Sequence, residues 1–172
     1  PKSISKTKIG FFLGSSIGNF YNKEEKKFLK NAKKTLGKNS FLFVGVDLIK
    51  NVKILKKAYN DKGNFTARFN LNLINIINKQ FKTKLKVRDF KYMPTFNKKK
   101  SSMENFIESK KDQFFFIKKH KFYLKKGDKI QTEISNKFTI SKFTKLAKSS
   151  GWSVKKHWKD AKRYYAVFLL QA

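Results

Sequence analysis

Residues 9–19 read Ile-Gly-Phe-Phe-Leu-Gly-Ser-Ser-Ile-Gly-Asn, and the fold class turns on this stretch. Its first part, 9–13, is a short apolar run, the pattern expected of a strand buried on both faces. Its second part packs Gly14, Ser15, Ser16, Gly18 and Asn19 into six residues, where glycine allows tight turns and close approach of a ligand to the main chain. Asn22 and Glu25 then have the spacing of a capping box, followed by apolar Phe28, Leu29, Ala32 and Leu36 at helical spacing. Strand, glycine-rich loop and helix make half of a nucleotide-binding α/β unit, in which ligands sit beyond the carboxyl ends of the strands. The alternative is an ordinary strand–helix connection that binds nothing.

Outward from that stretch, Gly37 closes the first helix and residues 40–46 read as a second buried strand. Asp47 follows it, either as a functional side chain at the strand's carboxyl end or as the cap of a helix over 48–59. Asn64 is placed to cap a longer helix to about Phe81, with Phe65, Phe69, Leu73, Ile76 and Ile77 on its apolar stripe. From Lys84 the period changes to two. Residues 85–92, 103–107, 113–117 and 129–135 read as strands of an antiparallel lobe, with a turn at 126–128. In the last of these Glu133 and Ser135 share a face. A helix over 139–150 and strands over 154–158 and 164–170 restore the α/β pattern. The organisation expected is α/β, an inserted α+β lobe, and α/β again.

Composition narrows the chemistry. The 172 residues contain no cysteine and only His120 and His157, which excludes a disulfide framework, a thiolate metal site and a histidine-rich metal site. No apolar run reaches the roughly 18 residues of a membrane span, and the cytoplasm is the expected compartment. The chain opens on Pro1 and is expected to be part of a longer protein. With 42 basic and 11 acidic residues the formal charge is +31, the balance of a nucleic-acid or anionic-membrane binder. Yet only Arg68, Arg88 and Arg163 are arginine, the lysines run along the whole chain, and Asn, Ile and Phe are abundant beside them. Biased codon usage with a lysine-covered surface explains that pattern better than specific phosphate recognition, which favours guanidinium. Phe65, Phe69, Phe143 and Phe168, expected on apolar stripes, also argue against a nucleic-acid-binding module.

An ordered set of motifs completes the reading: Phe-Leu-Gly-Ser-Ser-Ile-Gly-Asn (12–19), Gly-Val-Asp-Leu-Ile-Lys (45–50), Ala-Tyr-Asn-Asp (58–61), Phe-Asn-Leu-Asn (69–72), Thr-Glu-Ile-Ser-Asn-Lys-Phe (132–138) and Ala-Lys-Ser-Ser-Gly-Trp (147–152). In this order and at these separations they resemble the S-adenosylmethionine-dependent histidine Nα-methyltransferases of ergothioneine biosynthesis. The resemblance runs over essentially the whole chain, which would correspond to roughly the carboxyl-terminal half of such an enzyme. It implies a partial Rossmann-like methyltransferase domain over 1–49 and 138–172, interrupted by a substrate-recognition lobe over 50–137. It also implies a reaction, three methyl transfers from S-adenosylmethionine to the α-amino nitrogen of L-histidine, giving hercynine. The family's acidic, glycine-rich cofactor loop would precede Pro1, so the 172 residues alone are expected to be inactive.

Carried over onto this sequence, Gly14 and Ser15 would lie against the cofactor. Asn19 and Tyr59 would hold the amino and carboxylate end of histidine, Glu133 and Ser135 would hydrogen-bond the imidazole, and Thr66 and Met103 would shape the pocket wall. For Glu133 the competing role is a surface salt bridge, and for Met103 simple core filling. The resemblance carries no specific nucleic acid, membrane or metal, and implies a monomer. A related amino-acid N-methyltransferase with another substrate is the nearest alternative, although an indole would leave the carboxylate with one poor partner.

Overall fold

The computed structural model describes residues 7–21 and 23–172. The chain forms two compact units: residues 1–50, 99–102 and 135–172 make the first, and residues 51–98 and 103–134 the second.

The first unit is built on a four-stranded sheet. Its strands are β1 (Ile9–Phe12), β2 (Phe41–Asp47), β8 (Ser153–Lys159) and β9 (Tyr165–Gln171), in the order β1-β2-β9-β8. β1 and β2 are parallel and joined through helix α1 (Glu24–Leu36), whereas β2–β9 and β9–β8 are antiparallel. The side chains of Leu42, Val44 and Val46 on β2 and Ala166, Phe168 and Leu170 on β9 enter the core. There they meet Leu29 of α1 and Phe143 and Ala147 of helix α4 (Ile140–Ser149). Thr139 caps α4, its hydroxyl accepting from the Lys142 N–H at 3.0 Å. Trp152 is buried behind α4 and donates its indole N–H to the Leu29 carbonyl at 2.8 Å, fixing α1 against the strand that follows.

β1 departs from the expectation of a strand buried on both faces. Ile9 is 53% and Phe11 67% exposed, because helices cover one face of this sheet while β1 stands at its edge. On the uncovered face Phe11 stacks on Phe43 at 5.1 Å, and Phe43 lies 6.2 Å from Trp158. Helix α1 begins at Glu24. Of the expected capping box, Asn22 lies outside the described residues, and it is the Glu24 carboxylate that accepts from the Tyr21 N–H at 3.2 Å.

The second unit holds α2 (Val52–Tyr59), α3 (Phe65–Phe81), the strands β3 (Phe90–Asn97), β4 (Ser102–Ser109) and β7 (Lys129–Asn136) in the order β3-β4-β7, and the hairpin β5 (Gln113–Ile117)–β6 (His120–Leu124). Ser102 of β4 and Ser135 and Asn136 of β7 belong to the first unit. Ile74, Leu85, Phe90 and Ile107 form the buried core, with Leu71, Leu73, Ile77, Phe115, Leu124 and Ile130 against it.

Four expectations are corrected here. α2 starts at Val52 rather than Leu48: Asn51 caps it by accepting from the Lys53 N–H at 2.8 Å, and Asp47 is not a helix cap. α3 is capped by Asp61, whose two carboxylate oxygens accept from the Phe65 and Thr66 N–H groups at 2.7 and 2.9 Å, while Asn64 takes a left-handed φ of 52°. The inward stripe of α3 runs through Asn70 and Ile74, which leaves Phe65 at 70% and Phe69 at 76% exposed. Those two rings therefore no longer weigh against nucleic-acid binding, whereas Phe143 and Phe168 are buried as expected. Finally, the strand expected over 85–92 begins only at Phe90. The Asn78 side chain donates to the Leu85 carbonyl at 2.7 Å and accepts from its N–H at 3.0 Å, so Leu85 pairs with an amide instead of a strand. β6 was not anticipated, because Lys and His dilute its alternation.

Among the described residues no helix is long and apolar enough to cross a membrane.

Candidate functional site

In the first unit the glycine loop leaves β1 at Leu13 and closes into a single 3-10 turn over Ser16–Asn19. Ser15 turns the corner with φ 57°, and its carbonyl accepts from the Gly18 N–H at 2.9 Å. Gly18 is required by packing: a Cβ there would stand 2.7 Å from the Asn136 carbonyl oxygen at the end of β7. Gly14 is different. Its backbone is not in the left-handed region, and a Cβ would meet only the movable Ser16 hydroxyl at 3.3 Å. Neither conformation nor packing demands glycine at position 14. Its main chain lies exposed on the loop.

The loop is held from both ends. The Ser15 hydroxyl accepts from the Asp47 N–H at 2.8 Å, tying the loop to the carboxyl end of β2. The Tyr165 phenol crosses β2 and donates to the Leu13 carbonyl, a path open only because residue 45 is glycine. Burial, with Asp47 nearby, raises the Tyr165 pKa, so the phenol stays a donor across the physiological range. The Asp47 carboxylate receives Lys50 at 2.5 Å on one oxygen and the buried Lys137 at 2.7 Å on the other. Lys137 also donates to the Ser135 hydroxyl at 2.8 Å. Of the sequence-predicted residues, Gly14, Ser15 and Asn19 share this loop, Asn19 on its exposed side, and Ser135 sits buried at the end of β7.

In the second unit Glu133 lies on β7 and accepts from the Asn105 amide at 2.8 Å; Asn105 in turn accepts from the Tyr92 hydroxyl at 2.8 Å. On the other side of the strand the Thr132 hydroxyl donates to the Asn70 amide oxygen at 2.5 Å. Asn70 and Asn105 are almost wholly buried, so both polar groups are fixed in place. A cavity of about 330 Å³ is lined by Phe69, Asn70, Leu73, Ile76, Thr132 and Glu133. Tyr59, half-buried at the end of α2, and Glu133 both act on Tyr92, whose pKa is raised first by burial and then by these neighbours and Asp61. Thr66 sits in the first turn of α3, where its N–H and hydroxyl bond to Asp61. Those bonds hold the Asp61 carboxyl at a pKa of about 2. Met103 is wholly buried.

Sequence reasoning missed Asn70, Asn105, Tyr92, Lys137 and Tyr165. The motifs 69–72 and 132–138 contain Asn70 and Lys137, so the sequence carried a signal for these two; for Asn105, Tyr92 and Tyr165 only the fold reveals the pairing.

A family model described as "Histidine-specific methyltransferase, SAM-dependent" matches residues 1–172. The histidine N-alpha-methyltransferase of Mycolicibacterium smegmatis is 28% identical over 129 residues, 74% of this chain and 40% of that protein. The ergothioneine biosynthesis protein 1 of Neurospora crassa is 42% identical over 72 residues, 42% of this chain and 8% of that protein. A solved S-adenosylmethionine-dependent methyltransferase from Clostridium acetobutylicum superimposes with a TM-score of 0.43 at 8% identity, over 99% of this chain and 61% of that one. The chain thus spans well under two thirds of the curated relatives it matches. With a match over its whole length, this chain belongs to the family of histidine-specific, S-adenosylmethionine-dependent methyltransferases.

Proposed function

We propose that the gene product carrying this chain methylates the α-amino nitrogen of L-histidine three times, giving its trimethylated betaine. The observation that carries the reading is Glu133, an acceptor-only carboxylate held by the buried Asn105 on the wall of a cavity of amino-acid size. A carboxylate among so many lysines is expected at the surface in a salt bridge; a carboxylate locked by a buried amide is prepared for a ligand N–H. In this reading Glu133 accepts from one imidazole nitrogen and Ser135 serves the other. Asn19 and Tyr59 hold the amino and carboxylate end, and Thr66 and the buried Met103, neither of which lines that cavity, shape the substrate pocket from behind. Residues 50–137 then form the substrate-recognition lobe, and residues 1–49 and 138–172 the methyltransferase part.

S-adenosylmethionine, when bound, supplies an electrophilic methyl group on a positively charged sulfur. Gly14 and Ser15 are the residues proposed to lie against it, and the uncrowded main chain at Gly14 fits that role. The chain's own task is alignment. An amide and a phenol orient the amine through hydrogen bonds without a charge that would trap it as ammonium, so its lone pair stays free. No side chain need act as a nucleophile. The reading takes the protein as a cytoplasmic monomer with no specific nucleic acid or membrane partner.

The test is incubation of the purified gene product with S-adenosylmethionine and L-histidine, followed by mass spectrometry. Mono-, di- and trimethylated histidine are expected in succession. Methylation of another amino acid with histidine untouched would overturn the substrate assignment.

A further inference from the structure

In a chain with 42 basic residues, Lys137 is the buried one among the described residues, at 2% exposure. Its ammonium group is held by Asp47 at 2.7 Å, which offsets the cost of burying the charge, and by the Ser135 hydroxyl at 2.8 Å. Lysine has donors and no acceptor. Ser135 must therefore spend an oxygen lone pair on Lys137, and it cannot aim its own hydrogen back. That hydrogen has no acceptor among the described residues.

We propose that Lys137 is a positioning residue that makes Ser135 an obligate hydrogen-bond donor, so that the Ser135 subsite takes a ring nitrogen bearing a lone pair. The proposal rests on the histidine reading above. Neutral imidazole has one such nitrogen and one N–H; the imidazolium ion has two N–H groups and no acceptor. The subsite thus selects the neutral ring. The charged and titratable groups linked to this pair include Asp47 of β2, with Lys50 just beyond β2 and Tyr165 of β9 acting on Asp47, and Glu133 lies two positions earlier on β7. Glu133 by itself favours a cationic ring. Selection against imidazolium therefore falls to the Ser135–Lys137 pair.

The experiment is the pH dependence of kcat/KM for histidine with the full gene product, for wild type, Lys137→Met, Lys137→Arg and Ser135→Ala. Protonation of the substrate's α-amine gives log kcat/KM a slope of one on the acid side in every protein. Below the imidazole pKa of about 6.5, wild type should steepen to a slope of two, because the protonated ring is rejected. Lys137→Met should raise KM about 10-fold with kcat within a few-fold, and should lose the steepening. Lys137→Arg, still a cationic donor, should restore it. Ser135→Ala removes only an oxygen and decides the matter if Lys137→Met does not fold: it too should lose the steepening. A steep limb unchanged in Ser135→Ala, or in a folded Lys137→Met, overturns the proposal while leaving the histidine reading intact. A wild type with no histidine turnover overturns both.

Discussion

The Asn105 side-chain amide donates to Glu133 at 2.8 Å, and its own oxygen is taken by the Tyr92 hydroxyl at 2.8 Å. One nearly fully buried amide thus fixes the carboxylate proposed to read the substrate. Replacing Asn105 with alanine should leave Tyr92 and Glu133 each short of a partner. Stability measured by urea unfolding should fall by about 1–3 kcal/mol. KM for histidine should rise more than with Tyr92→Phe, which removes a single hydrogen bond. Equal KM in both variants would mean that Asn105 does not hold Glu133 for the ligand.

Asp61 supplies the cap of α3, with its carboxyl pKa lowered from 3.8 to about 2 by bonds from Thr66 and Phe65. A depressed carboxyl stabilises the fold above its unfolded pKa, and the contribution is lost as pH falls through the folded one. Wild type should therefore be more stable than Asp61→Ala at pH 7, and the gap should close between about pH 4 and pH 2. Thermal unfolding of both proteins across that range is the measurement. A gap independent of pH would mean that the cap is not ionic.

How far the sequence could be read is clearest at such places. The helix at 139–150, β2 and most strands of the period-two lobe were legible because apolar periodicity follows burial there. β1 was legible as a strand although its apolar run did not report burial. The cap at Asp61 was not, since Asn64, Asp61 and Asn60 are all good capping residues and only the chain's path selects one. The α3 stripe misled for a related reason: Phe65, Phe69 and Ile76 mimic an inward face, while polar Asn70 occupies the real one to meet Thr132. Of the site, the motif residues could be named by resemblance. The buried amides and lysine that hold them could not, because their pairings join segments up to 90 residues apart, as with Asp47 and Lys137.

Gly45 is where the Tyr165 phenol crosses β2 to the Leu13 carbonyl. Gly45→Ala should push both away and loosen the glycine loop, destabilising the fold by about 1–3 kcal/mol. Because one contact is shared, Gly45→Ala combined with Tyr165→Phe should cost less than the two changes summed. Strict additivity in chemical unfolding would refute the crossing.

The surface lysines divide by geometry. Lys27, Lys30 and Lys34 of α1 are exposed, whereas Lys33 donates to the Gly151 carbonyl at the end of α4. Changing the first three to glutamine should flatten the salt dependence of polyanion binding and leave methyl transfer within a few-fold. Lys33→Gln alone should lower the melting temperature instead. Loss of activity in the folded triple variant would assign the lysine surface a role in chemistry.

Substrate selection by Glu133 is the centre of the account, and kcat/KM for histidine and for tryptophan in wild type and Glu133→Ala, with folding checked by circular dichroism, tests it most directly. Removing the carboxylate leaves an imidazole N–H unpaired in a partly dry cavity, a loss of about 1–3 kcal/mol, or on the order of 10- to 100-fold in kcat/KM for histidine. The freed volume should let the larger indole compete, so activity on tryptophan should fall less or rise. An equal fall on both substrates in a folded variant would make Glu133 structural and contradict the assignment of the imidazole site.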